Sequence, residues 1–123
     1  MDKIICINLG FVVPKNKLTD VRFVFELHSA WMKKFYSESN NGGKYLISAY
    51  FTEATEFKDP TDSSKGETEN MLFTLNEKFA SVESLKRHND YVKKNEYFSK
   101  FAEIKKEYAV FRSSNGKIYH SIR

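Results

Sequence analysis

One cysteine is too few for an intramolecular disulfide or a cysteine-rich zinc site, so Cys6 reads as a small buried hydrophobe in a protein kept in a reducing compartment. Proline is nearly as scarce: Pro14 closes the first apolar run and Pro60 lies in a polar loop. Long apolar runs are missing too, since none approaches the ~20 residues a helix needs to span a bilayer. The opening stretch MDKIICINLGFVVPK carries an acid at Asp2, no basic region and no small-residue cleavage site, and reads as a strand, not a signal peptide. The expectation is a cytoplasmic protein without a membrane partner. A surplus of one charge is also lacking: the net charge is only +4, and Lys86, Arg87, Lys93 and Lys94 interleave with Glu83, Asp90 and Glu96. That is a solvated helix face, not the clustered basic stripe of a nucleic-acid binder.

Aromatic residues are abundant instead, at 15% of the chain, and they either fill a core or line a pocket. With 123 residues the chain is read as one domain spanning 1–123, long enough to bury roughly two thirds of its unfolded surface.

The segment from Phe73 to Phe101 organises the rest. Phe73, Leu75, Glu77 and Phe79 alternate on one strand face, with Glu77 the odd polar member. Ser81 stands where a helix N-cap belongs, with Glu83 in the first turn. Leu85, His88 and either Tyr91 or Val92 then fall at helical spacing, and Phe98, Phe101, Ala102 and Tyr108 resume it. The polar run from Lys93 to Glu96 predicts a break near Asn95.

Upstream, Ile5, Ile7, Leu9, Phe11 and Val13 share one face of a strand over Lys3 to Val13. A helix follows from about Asp20 to Ser37, capped by Asn16 or Thr19, with Val24, Leu27, His28, Trp31 and Phe35 as its stripe. Ser39, Asn40, Asn41, Gly42 and Gly43 supply its turn. In a second strand from Lys44 to Phe57, Tyr45, Ile47, Ala49 and Phe51 face one way and Leu46, Ser48, Tyr50 and Thr52 the other. A polar loop from Lys58 to Asn70 precedes the strand opening at Met71. At the end, strands over Ala109–Arg112 and Lys117–Ile122 make a hairpin about Asn115 and Gly116.

Strand, helix, strand, strand, helix, strand is the split βαβ order of an α+β ferredoxin-like sandwich with an antiparallel sheet and here a small C-terminal hairpin. Two helices cover one sheet face. The other face reads Cys6, Asn8, Gly10, Ser48, Tyr50, Thr52, Leu72, Thr74 and Asn76, which is neutral and half apolar. Its expected cover is a second copy, giving a homodimer that closes a barrel.

The run Phe73, Leu75, Glu77, Phe79, Glu83, Leu85 and His88, followed by Phe98 and Phe101, resembles the strand-to-helix signature of antibiotic-biosynthesis monooxygenase-like domains of the dimeric α+β barrel superfamily. The resemblance implies a pocket between sheet and helices bordered by Glu77 and His88. The chain departs from the family in the extra residues between His88 and Phe98, where members often carry a second histidine in a tighter spacing, and the haem-degrading branch fits poorly, because Phe79 stands where a tryptophan belongs and no histidine follows Phe98 at the ligand position. Asn8 resembles that branch's first-strand asparagine, but its parity turns it from Glu77 unless a bulge near Gly10 intervenes.

The candidate catalytic residues are therefore Glu77 and His88. Candidate ligand-binding residues are His28, Trp31, Phe35, Phe73, Phe79, Tyr91, Phe98 and Phe101, a set of rings with few charges that suits an apolar molecule of fatty acyl or aromatic type. A core role for His28 and His88, and a lysine salt bridge for Glu77, are the structural alternatives. No cofactor or metal is expected, because the three histidines stand far apart without His-x-His or Glu-x-x-His spacing. Three functions stay open: a small-molecule-binding dimer, a cofactor-independent monooxygenase-like enzyme, and an interaction dimer without ligand.

Overall fold

The computed structural model describes residues 3–37 and 44–123. The turn expected over Ser39 to Gly43 lies outside the described residues. Four strands, β1 (Ile5–Pro14), β2 (Leu46–Phe57), β3 (Glu67–Phe79) and β4 (Ala109–Gly116), form one antiparallel sheet in the order β2-β3-β1-β4. Three helices, α1 (Leu18–Ser37), α2 (Val82–Val92) and α3 (Phe98–Tyr108), pack on one face of it. This α+β arrangement is compatible with a ferredoxin-like sandwich. Among the described residues no helix is long and apolar enough to cross a membrane.

The two-residue period of β1 and β3 decides what the helices cover. Their ladder runs unbroken from Ile5 opposite Phe79 to Pro14 opposite Asn70, so Ile5, Ile7, Phe11 and Val13 share a face with Phe73, Leu75, Glu77 and Phe79. Onto the middle of this face α1 packs Val21, Val24 and Phe25, and α3 packs Phe101 and Ile104. Leu85 of α2 covers Ile5, Ile7 and Phe79 at the far end. Each such burial contributes about 1.5–3 kcal/mol, which holds α1, α2 and α3 on the sheet.

The break in the second helical region falls where the polar run predicts it. Ser81 caps α2 by accepting the Ser84 N–H at 3.1 Å. After Val92 the chain turns: Asn95 donates its backbone N–H and its side-chain amide to the Val92 carbonyl, at 3.1 and 3.2 Å, and α3 begins at Phe98. Lys93 to Glu96 offer nothing apolar to bury, so helix continuation gains no packing there.

Several expectations are corrected. The C-terminal hairpin does not form: β4 runs as one strand through Ser114, Asn115 and Gly116, pairing with β1 from Phe11 opposite Ala109 to Cys6 opposite Gly116, and 117–122 holds no strand. The open edge of β1 offers a ladder that outweighs the local turn preference of Asn-Gly. On β2 a register shift between Leu46 and Ser48 reverses the alternation, so Leu46 packs toward Phe79 and Ile47 is exposed. Strand β3 begins at Glu67, which shortens the loop to 58–66; Lys58 N–H bonds Gly66 carbonyl at 3.0 Å, and Gly66 takes a φ of 95° open to it without strain. Helix α1 starts at Leu18 and buries Val21, Val24, Phe25, His28 and Met32, while Leu27 faces solvent.

No bulge brings Asn8 to the helix side. Its amide donates to Asn76 Oδ1 at 2.9 Å on the opposite sheet face, and the irregularities of β1 lie only against β4.

Candidate functional site

Glu77 sits on the helix-covered face of β3, with Ile7 and Ala49 as its cross-strand neighbours. Two imidazoles meet it from the helices. His28 comes from the buried stripe of α1 and His88 from that of α2. Only 2%, 5% and 3% of His28, Glu77 and His88 is exposed, so these groups satisfy one another and not water.

His28 Nε2 lies 3.1 Å from Glu77 Oε2, and His88 Nε2 lies 3.6 Å from Oε1. The outer nitrogens are held as well: His28 Nδ1 is 2.7 Å from the Tyr97 hydroxyl and His88 Nδ1 is 2.7 Å from the Tyr36 hydroxyl. The chain Tyr97, His28, Glu77, His88, Tyr36 thus ties α1, α2, β3 and the start of α3 into one buried polar network. Aromatic rings fix the imidazole planes. Phe51 stacks on His28 at 5.7 Å with Phe101 edge-on at 4.9 Å, and Phe79 and Trp31 pack on His88 at 4.8 and 5.5 Å.

Burial drives the His88 imidazolium down to about 4, outweighing the attraction of Glu77, so this ring is neutral near pH 7. Burial opposes ionisation of Glu77, yet the His28 hydrogen bond and neighbouring positive charge hold its carboxyl below the usual range. Lys105 of α3 supplies part of that charge; its ammonium lies 4.7 Å over the Phe101 ring, and burial lowers its own pKa against the pull of Glu77. Burial also raises the two phenols, Tyr36 and Tyr97, which stay protonated.

The network opens on a cavity of about 280 Å3 at the joint between α2 and α3. Leu9 and Leu75 floor it, and Val92, Phe98 and Phe101 wall it; His28, Glu77, His88 and Lys105, with Asn89, Lys93 and Ser114, provide the polar part of its lining. Two larger and more open grooves, about 470 and 530 Å3, run between α1 and β2. They lack a buried titratable cluster, so the smaller cavity is the candidate site.

Glu77, His88, His28, Phe98 and Phe101 are thus brought together as the sequence suggests. Other expectations are corrected. Phe73 and Phe79 are buried core on the sheet, Trp31 and Phe35 stack on each other at 4.9 Å and do not line the cavity, and Tyr91 is 41% exposed because Val92 takes the inward position. Glu77 pairs with histidines and not in a lysine salt bridge. Sequence spacing also gives no warning of a cluster in which one donor atom each of His28, Glu77 and His88 lies within 4.8 Å of the others. Of the residues missed, Tyr36 was legible, standing two four-residue steps beyond His28 through buried Met32. Tyr97 and Lys105 were not, since both belong to polar stretches whose position depends on the α2–α3 turn.

Tyr97→Phe and Tyr36→Phe are each expected to cost about 1–3 kcal/mol of stability, because an imidazole nitrogen is left buried without its partner. Denaturant midpoints at unchanged slope measure this. A change below about 0.5 kcal/mol, typical of a surface site, would show that the hydroxyls do not bind the rings.

Comparison of the chain with known protein families, with curated proteins and with solved structures returns no match.

Proposed function

We propose that the chain binds a compact, largely apolar small molecule whose oxygen-bearing end meets His28, Glu77, His88 and Lys105. The observation carrying this reading is one cavity of about 280 Å3 with apolar floor and walls and convergent buried polar groups. A volume this small favours an aromatic molecule over an extended fatty acyl chain. Protein purified from a heterologous host is expected to release such a compound on denaturation and organic extraction, read by mass spectrometry. It is also expected to show a raised Tm with phenolic ligands that Phe101→Trp, by filling the cavity, abolishes. No extractable compound and no thermal shift across aromatic phenols and fatty acids would instead favour an interaction dimer without ligand. A cofactor-independent oxygenase is the second reading, favoured by imidazoles placed beside a carboxylate where a bound phenol would surrender its proton.

The sheet face opposite the helices is the proposed contact with a second copy. Tyr50, Asn76, Asn8 and Ser113 form one cross-strand row there, and Thr52, Thr74, Gly10 and Phe111 another. Tyr50 and Phe111 are largely exposed in the single chain, and no described element covers them. The rows are neutral and present two aromatic rings, which suits packing against a like sheet about 10 Å away. Resemblance to domains that close a barrel from two copies supports the same arrangement.

A further inference from the structure

The two imidazoles and the carboxylate at the cavity end have the composition and spacing of a metal-ligand set. His28 Nε2 and His88 Nε2 both point at Glu77, at 3.1 and 3.6 Å, and one donor atom from each of the three residues lies within 4.8 Å of the others. Nitrogen and oxygen ligands about 2.0–2.2 Å from a tetrahedral ion stand about 3.3–3.6 Å apart, so separations of up to 4.8 Å must close by about 1 Å through side-chain rotation. We propose that His28, Glu77 and His88 bind one divalent first-row transition ion through the two Nε2 atoms and the carboxylate, with its remaining positions open to the cavity. This goes beyond the small-molecule reading and does not depend on it.

The tyrosines supply an independent argument. A metal-bound imidazole donates its second N–H to an oxygen, which fixes the tautomer and leaves the other nitrogen free for the ion. Both imidazoles have that oxygen already, the Tyr97 and Tyr36 hydroxyls at 2.7 Å from the respective Nδ1 atoms. Without metal the same heavy atoms serve the opposite tautomer, in which the phenols donate to Nδ1 and each Nε2 N–H faces Glu77. Exchange between the two needs only proton repositioning and a turn of the hydroxyl hydrogens.

Ligand chemistry narrows the ion. Two imidazoles and one carboxylate suit Zn2+, Fe2+ or Co2+ better than Ca2+ or Mg2+, which prefer all-oxygen shells. No thiolate belongs to the set, since Cys6 lies on the other sheet face beside Asn8. Lys105 opposes a cation here, and a dication balanced only by Glu77 leaves the site net positive. The open positions therefore favour an anionic oxygen donor, a carboxylate or phenolate, that Lys105 also attracts.

The test uses the full chain, freed of metal by chelation and titrated with Zn2+ by calorimetry and with Co2+ by visible absorption. One ion per chain is expected, with Co2+ d–d bands and no thiolate charge-transfer band. Glu77→Gln and His88→Gln should lose binding, while His120→Gln, at an exposed tail position, should keep it. Tyr97→Phe should weaken it about 10- to 100-fold. Circular dichroism checks the fold of each variant. Should Glu77→Gln not fold, proton NMR of the Co2+-loaded wild type decides, since two exchangeable hyperfine-shifted imidazole N–H signals are expected. Absence of stoichiometric binding to the wild type, undiminished binding in a folded His88→Gln, loss of binding in His120→Gln, or absence of the two shifted signals would each overturn the assignment.

Discussion

Phe25→Ala is expected to remove about 3–5 kcal/mol of stability, a large part of the 5–15 kcal/mol that holds a typical domain together. Phe25 is the ring through which α1 meets both the sheet and α3. Its centroid lies 5.1 Å from Phe11, 5.5 Å from Phe73 and 6.0 Å from Phe101, tilted or edge-on to each. Truncation leaves a void between three elements that cannot all move inward, because the β1–β3 ladder fixes Phe11 opposite Phe73. A fall in Tm of about 10–25 °C should accompany it. Phe23, on the same helix but 55% exposed, is the control, and its alanine variant should shift stability by no more than about 0.5 kcal/mol. Equal losses at both positions would mean that the outer face of α1 is also covered in solution.

Thr74→Arg is expected to convert the proposed dimer into a folded monomer. Thr74 lies on the helix-free sheet face between Thr52, whose hydroxyl it hydrogen-bonds, and Gly10. In the separate chain an arginine there extends over Gly10 into water, which makes folding of the monomer tolerant of it. Between two sheets the same guanidinium would be buried without a partner, a cost of several kcal/mol at the contact. Sedimentation should give about twice the 14.4 kDa chain mass for the wild type and the single-chain mass for the variant. A folded wild-type monomer at micromolar concentration would sink the dimer, and an unchanged dimer in Thr74→Arg would move the contact to another surface.

Strand and helix patterns were legible wherever one period held without interruption. The alternation of β1 and β3, the Ser81 cap and the break after Val92 all follow from local chemistry and burial, and they place Glu77 and His88 on inward faces. Leu46 was misread because one register shift reverses a strand's faces, and that shift depends on the neighbouring strand. The C-terminal hairpin was misread because Asn-Gly signals a turn only when no open strand edge competes for the same backbone. What the amino-acid order by itself determined is therefore the order of elements as far as β4, the inward faces of β1 and β3, and the inward placement of His28, Glu77 and His88. Only the tertiary structure decided that those residues meet. His28 and Glu77 are 49 positions apart, His28 and Tyr97 69, and Tyr36 and His88 52, distances over which no periodicity carries information. Their meeting is set by helices packing on one sheet face, a property that no single segment encodes.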